Sequence, residues 1–171
     1  PYDPQPVRQW LEQTRSEPKT SNKPKDSEIE KAAFILGNAK QPLFHLGLGA
    51  SHATKPILTL AQQLGAVVST TFSGKGSFPE SHPQWLWPGF GNTCPSPLRK
   101  IAATCDATLI LGARMGEVST GSYGLQLPRP AIQVDIDPSV IGANFEVDVA
   151  VESDTQEFVT RLMQTIKRNG L

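Results

Sequence analysis

A chain of 171 residues, 38% of them hydrophobic, can bury one domain with a real core, although its apolar content lies somewhat below the globular average. Sixteen basic and sixteen acidic residues cancel, and no basic stripe is visible, which argues against a nucleic-acid partner. No apolar run approaches a membrane span, no signal peptide opens the sequence, and two cysteines without metal-type spacing fit reduced thiols in a cytoplasmic protein.

Residues 1–26 carry Pro1, Pro4, Pro6, Pro18 and Pro24 among charged and polar neighbours, and read as an interdomain linker with little apolar surface to bury. Trp10 and Leu11 are the exception and are expected to dock on a neighbour. Residue 1 is proline rather than methionine, so a piece cut from a longer polypeptide is expected. The domain itself is placed at residues 27–171. Ser27 and Glu30 predict a capping box for a helix with Ile29, Ala32, Ala33 and Leu36 at helical spacing, closed by Gly37 as its C-cap. Pro42–Gly49 is a short buried strand entering a glycine turn. Ile57, Leu60, Ala61 and Leu64 form a second helical stripe closed by Gly65, and the β-branched Ala66–Phe72 is strand two. A long Gly-, Pro- and aromatic-rich loop spans Ser73–Pro95, with Phe78, Trp85, Trp87 and Phe90 expected to face partners. Leu98, Ile101, Ala102 and Cys105 repeat the helical spacing. Ala107–Arg114, Ala131–Asp135 and Val147–Val151 are strands three to five, and Asp154 with Glu157 caps a final helix carrying Phe158, Leu162 and Ile166. Alternation of strands and helices predicts an α/β fold, a Rossmann-like three-layer α/β/α sandwich around a mostly parallel sheet.

In such folds ligands bind at the carboxyl edge of the sheet, so the residues there are the candidates. Gly47-Leu48-Gly49 leaves a strand and enters a helix, where backbone amides approach a pyrophosphate, but His52 stands where a dinucleotide fingerprint wants its third glycine. Thr71 and Phe72 end strand two where a ribose-binding acid is expected, so a standard NAD site is disfavoured. Lys75 lies between Gly74 and Gly76, either a surface turn or a point charge for an anion. Arg114, just past strand three, is suited to fork onto a phosphate or to pair with a loop acid such as Glu117. Asp135 and Asp137 can accept from ribose hydroxyls or an adenine amine, with Asp137 also the natural N-cap of a turn begun by Pro138. His45 reads as a core histidine and His82 as a turn residue. No nucleophile sits beside a base and no cluster has metal spacing, so no catalytic residue is assigned.

Taken together, GLGAS, TTFSGKGSFPESHP, DATLILGAR and VDIDPSVIGAN, in that order, resemble the central domain of thiamine-diphosphate-dependent enzymes of the acetolactate synthase, oxalyl-CoA decarboxylase and benzoylformate decarboxylase type. The resemblance runs from Ser27 to Ile166. It implies a six-stranded parallel sheet of the DHS-like NAD/FAD-binding type, set between a pyrimidine-binding and a diphosphate-binding domain of one polypeptide. Those two domains would hold thiamine diphosphate and magnesium for a carboligase or decarboxylase acting on 2-keto acids, in a homodimer or homotetramer, while this domain is non-catalytic. Relatives hold FAD or ADP here or leave the domain empty; by motif the nucleotide-facing positions are Gly47, Gly49, Thr71, Lys75, Gly112, Arg114, Asp135, Ile136 and Asp154. Met115, Gly116 and Glu117 after the arginine, and Gly89-Phe90-Gly91 in place of a Met-His-Gly segment, depart from the FAD-holding pattern and favour an empty scaffold. The rival expectation is a free-standing adenine-dinucleotide-binding protein with the NAD-dependent deacylase fold.

Overall fold

A computed structural model describes residues 3–14, 23–92 and 94–171. Pro1, Pro18 and the Leu11 side chain, which entered the linker reading, lie outside the described residues. The segment taken as a linker contains a helix, α1 (Gln5–Thr14), with Val7 and Trp10 exposed.

From there strands and helices alternate: α2 (Asp26–Asn38), β1 (Pro42–Leu46), a 3-10 segment (Leu48–Ala53) leading into α3 (Thr54–Leu64), β2 (Val67–Thr70), β3 (Trp85–Pro88), α4 (Ser96–Ala103), β4 (Ala107–Leu111), β5 (Ala131–Asp135), a 3-10 turn (Pro138–Val140), β6 (Val149–Glu152) and α5 (Thr155–Asn169). All six strands pair in parallel in the order β3-β2-β1-β4-β5-β6. The predicted three-layer α/β/α fold is therefore present. The residue pattern had located five of the strands; the sixth, β3, lies inside the predicted long loop. It has four residues, ends in proline and sits at the sheet edge with a register shift against β2. A strand this short carries little periodicity, and an edge position is where proline is tolerated.

Three local expectations are corrected. Helix α2 begins one residue before Ser27: the Lys25 backbone N–H donates to Glu28 Oε2 at 3.0 Å and the Glu28 N–H to the Lys25 carbonyl at 3.0 Å, so Lys25 with Glu28, rather than Ser27 with Glu30, closes this end. Gly37 is not the C-cap, because the helix runs on to Asn38. A Cβ on Gly37 would lie 2.6 Å from the Leu171 Cβ, so this glycine makes room for the end of the chain. Phe78 and Phe90 are buried rather than displayed to partners, leaving Trp87 as the exposed aromatic of that loop. Gly65 does cap α3 in the left-handed conformation, donating to the carbonyls of Ala61 and Gln62. Asp154 caps α5 through Gln156 and Glu157 N–H at 2.8 and 3.1 Å.

The two faces of the sheet are chemically unlike. Phe44, Leu46, Val68, Leu109, Leu111, Ile132 and Val134 point to one side, where α2, α3 and α5 seal a largely apolar core, with Thr70 the buried polar residue of the same strand parity. Residues of opposite parity point to the other side, and there His45, Ser69, Thr108 and Gln133 are all buried. That side is covered by short α4 and irregular chain, whose backbone groups need partners. Ser69 Oγ donates to the Trp87 carbonyl (2.9 Å), Thr108 Oγ1 to that of Pro128 (2.7 Å) and Gln133 Nε2 to that of Ala113 (3.1 Å). Gln133 Oε1 in turn accepts the Gly142 N–H (2.9 Å). Thr108 and Gln133 tie the loops to the sheet, and Ser69 ties β2 to the edge strand β3. Among the described residues no helix is long and apolar enough to cross a membrane.

His45 is a core residue, as the sequence suggested. Its ring lies 5.2 Å from that of Phe90, edge to face, with Nδ1 3.4 Å from Ser69 Oγ and Nε2 unpartnered. Burial pulls its pKa down from 6.5 to about 4. The unfolded chain takes up this proton below about pH 6.5, whereas the native state does not until about pH 4. The stabilisation is thus complete above pH 6.5 and is lost as pH falls towards 4, at up to about 1.4 kcal/mol per pH unit. Urea unfolding at pH 7 and pH 5 is expected to show His45→Gln narrowing the difference between the two stabilities by about 2 kcal/mol.

Candidate functional site

The carboxyl ends of β1, β2, β4 and β5 open onto a crevice of about 690 Å³. Its floor is made where two loops cross at backbone contact. A Cβ on Gly47 would lie 2.0 Å from the Gly112 carbonyl oxygen, and one on Gly49 would lie 2.9 Å from Gly112 Cα. Gly112 itself has φ +56°, and its own Cβ would meet Gly49 Cα and C at 2.5 Å. Only glycine satisfies both the left-handed dihedral and the close approach. The loops are stitched by Gly47 N–H to the Leu111 carbonyl (2.9 Å) and Gly49 N–H to the Gly112 carbonyl (3.1 Å). The amides of the two glycines that a pyrophosphate would seek are therefore spent inside the protein.

Of the nine predicted positions, Gly47, Gly49, Thr71, Gly112, Arg114 and Asp135 line this crevice together. Thr71 turns inward, its Oγ1 accepting the Gly74 N–H at 2.9 Å. Asp135 is buried and accepts the Asp137 N–H at 3.0 Å. Burial raises its pKa, helped by the Asp137 charge and opposed by the backbone N–H and by Arg114. The Arg114 side chain is exposed and makes no hydrogen bond or ion pair among the described residues, so the pairing with Glu117 is not seen.

Three predicted residues stand outside the crevice lining. Lys75 pairs with Glu80 at 3.2 Å in a surface turn. Ile136 is half-exposed just beyond β5. Asp154 accepts from His52 Nε2 at 2.8 Å besides capping α5. Burial alone would raise its pKa, but the Glu157 amide and the His52 contact hold it below the usual carboxylate range. His52, which displaced the third fingerprint glycine, thus joins the β1 loop to the start of α5. Asp137 accepts from Ser139 N (3.2 Å) and Ser139 Oγ (2.7 Å), the capping role foreseen for it.

The pattern reading missed the rim. Leu48, Phe72 and Val118 line the crevice mouth with 63%, 52% and 76% of their surfaces exposed. Leu48 and Phe72 were visible only as members of strand ends and Val118 was not singled out, so the signal for an apolar rim was their common placement beyond the strands.

Sheet order and crevice define an α/β domain whose ligand edge lies at the carboxyl ends of its strands. Residues 29–162 match the family described as thiamine pyrophosphate enzyme, central domain, and the chain belongs to that family. It is similar to acetolactate synthase of Mycobacterium bovis, 31% identical over 159 residues, covering 90% of this chain and 25% of the relative. Acetolactate synthase large subunit of Corynebacterium glutamicum is 32% identical over 148 residues, covering 84% and 23%. A solved structure from Mycobacterium smegmatis, of a protein provisionally assigned as a thiamin diphosphate-dependent enzyme, shares the fold with a TM-score of 0.68. It is 24% identical and covers 89% of this chain and 30% of the other. The chain spans about a quarter of the length of the curated relatives it matches.

The family's description names thiamine pyrophosphate, a ligand whose diphosphate would bring concentrated negative charge to the crevice. The crevice lining has one cation, Arg114, beside two acids, Glu117 and Asp135.

Substituting Gly112 by alanine is expected to cost about 2–4 kcal/mol, from the left-handed dihedral and the forced separation of two backbones. Gly76 has φ +90° with nothing near its absent Cβ, so Gly76→Ala should cost only about 1–2 kcal/mol. Chemical denaturation of the two variants checks the difference.

Proposed function

We propose that this chain is the non-catalytic central domain of a thiamine-diphosphate- and magnesium-dependent carboligase or decarboxylase acting on 2-keto acids. It serves as the scaffold between a pyrimidine-binding and a diphosphate-binding domain of the same polypeptide, in a cytoplasmic homodimer or homotetramer. The names of the acetolactate synthase relatives support the reaction class. The observation that carries the scaffold role is the internal use of the polar groups a nucleotide would need. Gly47 and Gly49 N–H bond to the β4 end, Asp154 to His52 and its helix, and Lys75 to Glu80, leaving Arg114 alone for an anion. The apolar rim of Leu48, Phe72 and Val118 supports the same reading, since side chains grouped in this way gain by being covered by another domain.

The test is a thermal-unfolding series on the 171-residue chain with FAD, ADP, NAD and thiamine diphosphate, joined to an assay of pyruvate turnover with thiamine diphosphate and magnesium. Neither a raised midpoint nor turnover is expected. A ligand at 100 times its Kd adds about 2.7 kcal/mol to stability, so a bound nucleotide would be plain to see and would replace the scaffold with a nucleotide-holding domain. Turnover by the chain alone would end the non-catalytic reading.

A further inference from the structure

A second concavity, of about 610 Å³, lies between α4 and the segment 124–128 and shares no residue with the carboxyl-edge crevice. Arg99 and Lys100, consecutive on α4, both line it, and no carboxylate does. Neither of these side chains makes a hydrogen bond or ion pair among the described residues, although the Arg99 charge is felt at the Cys94 thiol. Arg129, Arg161, Arg168, Lys25 and Lys75, by contrast, each hold an acid.

The rest of the lining divides the groove. Asn92 and Gln126 bring carboxamides to it, while Phe90 and Leu127 give it an apolar wall. A Cβ at Gly124 would lie 2.5 Å from Asn92 Nδ2, so the glycine lets this carboxamide sit against the groove. A cavity of this size with a few placed polar groups and an apolar wall has the make-up of a small-molecule site. Two cations without a counter-charge set its preferred guest, since a guanidinium forks onto an oxyanion and an ammonium adds a point charge.

We propose that this groove binds a small organic oxyanion, a phosphate monoester or a carboxylate, whose apolar body rests on Phe90 and Leu127 while its charge meets Arg99 and Lys100. The site is separate from the scaffold role above and does not depend on it.

Isothermal titration of the 171-residue chain with phenyl phosphate, benzoate and inorganic phosphate tests the assignment. Saturable one-to-one binding of phenyl phosphate or benzoate, tighter than inorganic phosphate, is expected. The tighter of the two organic anions tells a phosphate-ester guest from a carboxylate guest, and either upholds the site. The double variant Arg99→Gln, Lys100→Gln alters exposed side chains and should weaken binding by about tenfold or more. Absence of saturation with all three at about 10 mM overturns the proposal. So does binding that survives in the double variant but is lost in Arg114→Gln, which would place the anion in the other crevice.

Discussion

The rest of the carboxyl edge depends on backbone touching backbone where the loop after β1 crosses the loop after β4. Gly47, Gly49 and Gly112 meet with no side chain between them, and two amide-to-carbonyl bonds fasten the crossing. Because β1 and β4 are the central pair of the sheet, this contact sets the depth of the crevice and the height of Arg114 above it. The same glycines that suggest a phosphate cradle are required by this crossing. A Gly-rich turn after a strand is therefore a weaker pointer to a nucleotide than its position implies, because close packing of loops asks for the same residue.

The contrast between the two sheet faces follows from what covers each. Regular helices satisfy their own backbone groups and present apolar stripes, so the face under α2, α3 and α5 can be largely apolar. Irregular chain does not satisfy itself, and the strands beneath it carry Thr108 and Gln133 to complete its hydrogen bonds. His45 shares that face with its Nε2 unpartnered, and burial keeps it neutral well below the usual pH for a histidine. On this same side α4 buries little beyond Ala102, and the acid-free groove with Arg99 and Lys100 lies along it.

Much of the architecture was legible because its signals are local. The short buried strand at Pro42–Leu46, the helical spacing in α3 and α5, the left-handed Gly65 and the capping Asp154 each follow from short-range patterning, sterics or hydrogen bonding, and each is present. The failures have physical reasons too. Strand β3 is too short for a period and borrows its conformation from β2, while Gly37 looked like a terminator but answers to Leu171, distant in sequence. The Ser27–Glu30 spacing was a sound cap, outcompeted by Lys25 with Glu28.

The sequence by itself determined the alternation of strands and helices, the parallel crossover topology this demands and the family to which the chain belongs, since these reside in periodicity and in motifs of fixed order. Only the tertiary structure decided which candidates meet. Six of the nine predicted positions converge on the crevice, while Lys75 and Asp154 are held by Glu80 and His52. Pairing of charges and close approach of backbones arise between segments far apart along the chain, and no local pattern encodes them.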